Sequence, residues 1–224
     1  MDAVFLVTLV VGATVLLSWP LGRYMAWAMD PGTDNAATRL FAGISGATGT
    51  QDWRRYVTAL LVFNVAMFTV TYLILSFQQV LPLNPDAKGA LDAHLAFNTA
   101  ASFTTNTNLQ HYSGEVSLSY LSQLGGLMWL QFVSAATGIA ALTTLARGIA
   151  GRETMGNFII DVQRASFLVL LPLAVIVATY MAIMGMPMTL QGAAQAITLE
   201  GAAQTIARGP VAAFLTIKQL GDRG

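Results

Sequence analysis

Five consecutive residues, Thr104, Thr105, Asn106, Thr107 and Asn108, bring hydroxyl and amide oxygens together with no charged side chain among them. With their backbone carbonyls, such oxygens can replace the water shell of a dehydrated monovalent cation. A ring of carboxylates would suit a divalent ion or hold a monovalent one more tightly, and rapid passage needs weaker binding. A polar surface loop without a ligand is the competing reading of this block. His94 and His111 are the remaining metal-ligand types, with only Asp92 and Glu115 near them in sequence. That wide spacing does not match a metal site, and a surface role fits better. An intramembrane enzyme built on the two histidines is the corresponding catalytic reading. Asp52 with Arg55, and Asp161 with Arg164, stand three residues apart at expected helix starts, a spacing that suits local ion pairs.

Other chemistry is excluded more simply. The 224 residues contain no cysteine, which removes disulfides, thiol catalysis and cysteine-ligated metals. The net charge is zero, so there is no electrostatic case for nucleic acid. No Gly-rich phosphate loop and no Asp-centred phosphorylation motif occurs. The chain is therefore not expected to be an enzyme by itself.

The elements that must position the polar block follow from composition. The chain is 55% apolar and 10% charged, against about 25% charged in a typical soluble domain. It belongs in a bilayer rather than around a large soluble core. The charges cluster, and the gaps between clusters predict helical spans at residues 3–22, 56–85 (apolar to about 77), 116–146 and 165–186, the last continuing as a milder apolar tail to residue 199. Each covers the roughly 20 residues needed to cross a bilayer core, and backbone inside lipid must satisfy itself as helix. A cleaved signal sequence competes for residues 1–20. However, the start Met-Asp-Ala is acidic, and the apolar run has the length of a full span.

Lys and Arg set the expected orientation. Arg23, Arg39, Arg54 and Arg55 fall between the first two spans, and Arg147, Arg152 and Arg164 between the third and fourth. The segment between the second and third spans holds only Lys88. The first two groups belong in the cytoplasm, which places the N-terminus outside. Pro82 and Pro85 end the second helix. Asp92 is then expected to cap a new short helix running through Phe103, rich in the small residues Ala93, Ala96, Ala100, Ala101 and Ser102. This helix is too short to span, so a re-entrant hairpin is expected: the helix enters and an extended segment returns. Its negative carbonyl end would point at the polar block and favour a cation. Gly138 and Gly148 are read as sites of close helix packing. A weak internal echo points the same way. "DWRRYVTALLVF" from Asp52 resembles "DVQRASFLVLLP" from Asp161, Thr71-Tyr72 echoes Thr179-Tyr180, and "AASFT" at residues 100–104 echoes "AAFLT" at 212–216. Chance similarity between apolar runs competes with a true repeat.

Longer motifs carry a family resemblance. "ALDAHLAFNTAASFTTNTNLQHYSGE", "GTQDWRRY", "QQVLPLNP", "SYLSQ", "FVSAATGIAAL", "GNFIIDVQR", "TLEGAAQTIARGPVAA" and "IKQLG" follow one another along essentially the whole chain. Together they resemble the potassium-binding A chain of the Kdp potassium-transporting ATPase, within a superfamily of potassium transporters derived from simple channels. The resemblance implies an all-α membrane fold in which helix–pore–helix units surround one pore. Thr105, Asn106, Thr107 and Asn108 would supply one quarter of a potassium filter, mostly through carbonyls, with Gln110 at its outer mouth. Potassium, rather than rubidium, follows from the resemblance and not from the residues. It also implies a bacterial inner-membrane location and partners in a P-type ATPase catalytic subunit, which hydrolyses ATP, and small membrane subunits.

Two positions depart from the family pattern: Thr104 stands where an apolar residue is usual, and Leu109 where tryptophan is. The family's second filter follows "IKQLG" with "TNGGG", whereas here Asp222-Arg223-Gly224 follow. The expectation is an N-terminal portion in three parts: an N-terminal transmembrane helix (1–22), a first helix–pore–helix unit (23–150) and an incomplete second unit (151–224). One filter segment offers one side of a coordination shell, so the alternative to a transport subunit is a non-transporting fragment or assembly partner.

Overall fold

The computed structural model describes residues 3–30, 36–107 and 109–221. Among the described residues, four helices are long and apolar enough to cross a bilayer: Ala3–Met29, Trp53–Ser76, Ser122–Ile149 and Phe158–Ile183. The chain is a mainly helical membrane protein, as its charge-free gaps predict.

Along the first helix, α1 (Ala3–Met29), only Ala28 and Met29 are buried. Apolar side chains exposed along the rest of its length suit a helix whose solvent is lipid. Pro20 does not end it, so the helix runs on past the predicted limit at residue 22. The extension is anchored: the Tyr24 hydroxyl donates to the carbonyl of Leu168. That carbonyl lacks its usual α-helical donor, because the residue four positions on is Pro172, which has no N–H. A short helix, α2 (Ala36–Ser45), stacks Phe41 on Phe167 with centroids 5.6 Å apart. Helix α3 (Trp53–Ser76) is capped by Asp52, whose carboxylate accepts the Arg55 N–H at 2.8 Å.

Helix α4 (Ala93–Thr104) starts as predicted, with Asp92 accepting the N–H groups of His94 and Leu95. Its twelve residues reach about 18 Å, short of a bilayer core. Ala96, Thr99, Ala100, Ser102 and Phe103 form its buried face. One apolar cluster joins this face to Leu75, Leu118, Leu127 and Leu130. A second gathers Met29, Tyr56, Ala136, Ala140, Phe158 and Val162 around the start of α3.

After the single turn α5 (Gly114–Ser117), the third long helix opens as a π-helical stretch (Ser122–Met128) and continues as α6 (Trp129–Ile149). It begins later than residue 116 because Leu118 to Leu121 stay irregular or only enter the helix, held by Gln78. The fourth comprises α7 (Phe158–Arg164), a π-helical stretch (Ala165–Leu170) and α8 (Leu171–Ile183). It begins ahead of the predicted residue 165, capped by Asn157. Charged residues 161 and 164 lie inside it because they find partners across the fold. Asp161 pairs with Arg147 at 2.6 Å, and Arg164 donates to the Asp30 carbonyl and the Thr38 hydroxyl. The expected local pairs are thus replaced: Asp52 serves as a cap and Asp161 as a long-range partner.

The apolar tail to residue 199 is not helical. Gly185, at φ +94°, follows the end of α8, and an antiparallel hairpin follows. Strands β1 (Ala194–Ile197) and β2 (Ala203–Ile206) pair Ala194 with Ile206. Helix α9 (Val211–Leu220) closes the described chain. A Cβ placed on Gly138 would meet nothing within 4 Å, and the residue opens on a shallow groove beside Asn106. It is not a close-packing glycine in this structure. A Cβ on Gly148 would make ordinary contact with Met155.

Candidate functional site

Helix α4 delivers the polar block to its place. Its last turn carries no basic residue, so the partial negative charge of its carbonyl end stands uncompensated by a side-chain cation. Two threonine hydroxyls take up carbonyls there: Thr104 donates to Ala100 at 2.8 Å and Thr105 to Ala101 at 2.9 Å. Asn106 then adopts φ +55°, a left-handed conformation that asparagine tolerates better than most residues. The turn reverses the chain against the end of the helix, where the Thr107 N–H donates to the Ser102 carbonyl at 2.9 Å.

The hydroxyls of Thr105 and Thr107 lie 2.7 Å apart. Ser134 of α6 reaches the Asn106 side-chain oxygen at 3.4 Å, tying the turn to the third long helix. Thr105, Thr107, Leu109 and Gln110 are exposed, while Asn106 is half-buried. Gln110 donates to the Tyr112 carbonyl at 3.0 Å. Asn108 lies outside the described residues. The segment is therefore packed on one side and open on the other, presenting oxygens from one direction only.

By sequence, Ser102 is one of the small residues of the helix. The structure gives it a second property. Its buried hydroxyl donates to the Thr107 carbonyl and accepts the Leu109 N–H at 3.3 Å. Nothing in the local sequence separates such a serine from a packing alanine, since its partners appear only when the chain folds back.

A cavity of about 400 Å³ separates this segment from α9, with Thr107, Gln110, Glu115, Gln131 and Lys218 on its walls. Gln131 is buried, and its Oε1 has no hydrogen-bond partner among the described residues. On another wall of the same cavity, a clasp joins the hairpin base to the preceding loop. The Tyr120 hydroxyl reaches the Arg208 carbonyl at 2.6 Å and also that of Gln191, and Asp86 accepts the Ala193 N–H at 3.0 Å. Burial and the negative charge of Asp86 hold the Tyr120 phenol above its usual pKa. His94 and His111 are both exposed. Among the described residues, no group of three or more His, Asp or Glu could hold a metal ion.

The sequence model of one family, the potassium-transporting ATPase A subunit, matches residues 8–224. The chain belongs to that family. Relatives named potassium-transporting ATPase potassium-binding subunit include one from Alicyclobacillus acidocaldarius, 44% identical over 99% of this chain and 41% of its own length. Another, from Pseudomonas syringae pv. tomato, is 43% identical over 96% of this chain and 41% of its own length. A third, from Pseudomonas fluorescens, is 49% identical over 78% of this chain and 31% of its own length. This member of the A subunit family thus spans about two fifths of the length of the curated relatives it matches.

Proposed function

We propose that this chain carries potassium-binding residues of an ATP-driven potassium importer, with Thr105, Asn106, Thr107 and Asn108 lining one side of the ion path and Gln110 at its outer mouth. One observation carries the reading. A short, side-chain-capped helix ends, with no basic residue in its last turn, on a reversed segment whose side chains offer only uncharged oxygens. Non-helical backbone at membrane depth is tolerated where it is buried in protein or lines a watery path. In this reading α4 is re-entrant and residues 23–150 form a helix–pore–helix unit.

The family supports the remaining assignments. Potassium is the cargo, and a partner subunit of the P-type ATPase hydrolyses ATP. Small membrane subunits complete the assembly, and the whole lies in the bacterial inner membrane with the N-terminus outside. A filter of this kind takes about four segments to replace an ion's water. The exposed, one-sided geometry of residues 105–107 accordingly favours a second statement: residues 1–224 alone bind partners but do not form a selective pore.

The test is potassium uptake in a strain lacking other uptake systems, with residues 93–110 of this chain carried in a longer A subunit of the same family. Asn106→Asp places a fixed charge beside the ion and is expected to lower maximal uptake about tenfold or more. His94→Ala and His111→Ala should leave uptake unchanged. Residues 1–224 expressed alone should not restore growth in low potassium. Parental uptake by Asn106→Asp, or its loss in the two histidine variants, would overturn the assignment.

A further inference from the structure

We propose that Lys218 sets the cation affinity of the segment from Thr105 to Thr107, by placing a fixed positive charge on the wall of a cavity that the segment shares. Lys218 is not itself a ligand. The proposal rests on the reading of residues 105–107 as lining an ion path.

The cavity of about 400 Å³ is bordered by Thr107 and Gln110 and, from α9, by Val211, Phe214 and Lys218. Among the described residues, four charged side chains line it: Asp86, Glu115, Arg208 and Lys218. Three of them stand beside a charge of opposite sign. Asp86 and Arg208 meet at the clasp, where the carboxylate accepts the Ala193 N–H at 3.0 Å and the guanidinium donates to the Gly192 carbonyl at 2.8 Å. Glu115 has the Lys88 ammonium 2.8 Å from its backbone carbonyl. Lys218 is half-buried, and its ammonium has no hydrogen-bond or ion-pair partner among the described residues.

Lys218 also lies in the last turn of α9. There its charge offsets the partial negative charge of the helix's carbonyl end. The last turn of α4 carries no basic residue. Of these two short helices, only α4 therefore presents an uncompensated negative end to a cation. A cation drawn to that end feels the ammonium across the cavity. Two unit charges about 9 Å apart, the width of a round cavity of this volume, change a binding constant roughly twofold in the dielectric of water and about twentyfold in that of a protein surface. Removing the ammonium acts with one sign throughout: repulsion falls and the end of α9 becomes more negative. Both changes favour the cation. An ion must also leave its site for transport to proceed, and the lysine keeps binding weak enough for that.

The experiment measures potassium-dependent ATP hydrolysis by the assembled complex, with residues 93–221 of this chain carried in a longer A subunit of the same family. Lys218→Met removes the charge and keeps an unbranched stem. It is expected to lower the half-saturating potassium concentration roughly twofold to twentyfold. Lys218→Arg should stay near the parental value, and Lys218→Glu should fall below Lys218→Met. The shift should shrink when choline chloride raises the ionic strength, a response that lost packing would not show. If Lys218→Met fails to assemble, Lys218→Gln carries the same expectation. Failure of every uncharged variant where Lys218→Arg assembles would make the charge a structural one and overturn the proposal. A shift in Lys218→Arg as large as that in Lys218→Met would overturn it too. If Asn106→Asp alters the potassium dependence while Lys218→Met leaves the half-saturating concentration unchanged or raised, the ion-path reading stands and the role of Lys218 is refuted. If Asn106→Asp leaves the potassium dependence unaltered, the ion-path reading itself is refuted, and the proposal with it.

Discussion

Arg147 and Asp161 are 7% and 2% exposed, and each has several polar partners. The guanidinium makes two bonds to the carboxylate, at 2.6 and 3.0 Å, and donates to the carbonyls of Met155 and Met29 at 2.9 and 2.6 Å. The Tyr56 hydroxyl lies 3.1 Å from the same carboxylate and 3.0 Å from the Ala140 carbonyl. Gly156, at φ +88°, leaves the room this requires, since a Cβ there would collide with the guanidinium. Four stretches of chain meet at one ion pair. Removing one member of a buried pair leaves the other's charge uncompensated, at a cost of about 3–5 kcal/mol, whereas replacing both by apolar residues is often close to neutral. Asp161→Asn should accordingly lower unfolding stability in mild detergent by that amount. The double variant Arg147→Met with Asp161→Leu should recover most of the loss, and no recovery would mean that packing rather than charge governs the site.

Elements are joined outside the helices by a second fully buried polar group. The Gln78 amide donates to the carbonyls of Gly89 and Ser117 at 2.7 and 2.9 Å. Its oxygen accepts the Ser119 N–H at 3.1 Å and the Ser122 hydroxyl at 3.0 Å. One side chain therefore binds the end of α3, the loop leading to α4 and the entry to the third long helix. Buried groups that lose their only partners cost about 1–3 kcal/mol each. Gln78→Leu should speed hydrogen exchange at the Ser119 N–H on the order of a hundredfold, and an unchanged rate would show that another group holds the loop. The two short helices also differ in a way the internal echo did not suggest. "AASFT" closes α4, whereas "AAFLT" lies in the first half of α9, whose last turn carries Lys218. The carbonyl end of α9 has a nearby cation that α4 lacks.

At the scale of the whole molecule, the helices present wide apolar surfaces, and Trp19 and Trp27 stand exposed on either side of Arg23 in α1 and Trp53 beside Arg54 at the start of α3. Arg23 lies over Trp19 at 5.0 Å and Arg54 over Trp53 at 5.3 Å. Aromatic and basic side chains of this kind favour the membrane–water boundary. The expected topology is directly measurable because the chain has no native cysteine. A cysteine replacing exposed Leu199 at the hairpin turn should react with a membrane-impermeant maleimide added to intact cells. One replacing exposed Ser45, the last residue of α2, should react only after the membrane is opened. The reverse pattern would invert the orientation.

Composition and charge spacing alone determined the membrane class, the number of long helices and the capped start of α4. Each depends on a local balance: apolar length against bilayer thickness, or a carboxylate against exposed helix N–H groups. The hairpin was legible in principle, since "AQAI" and "AQTI" flank a glycine-containing turn, but the first falls in the apolar tail to residue 199 and the second lies beyond it, so their pairing does not show. Tertiary structure decided what depends on partners distant in sequence. The fourth long helix could start ahead of two charged residues because Arg147, Asp30 and Thr38 receive them. Ser102 became more than a small residue because Thr107 and Leu109 return to its hydroxyl. A buried polar group is stable only with its partners in place, and those partners are chosen by how the chain folds back on itself.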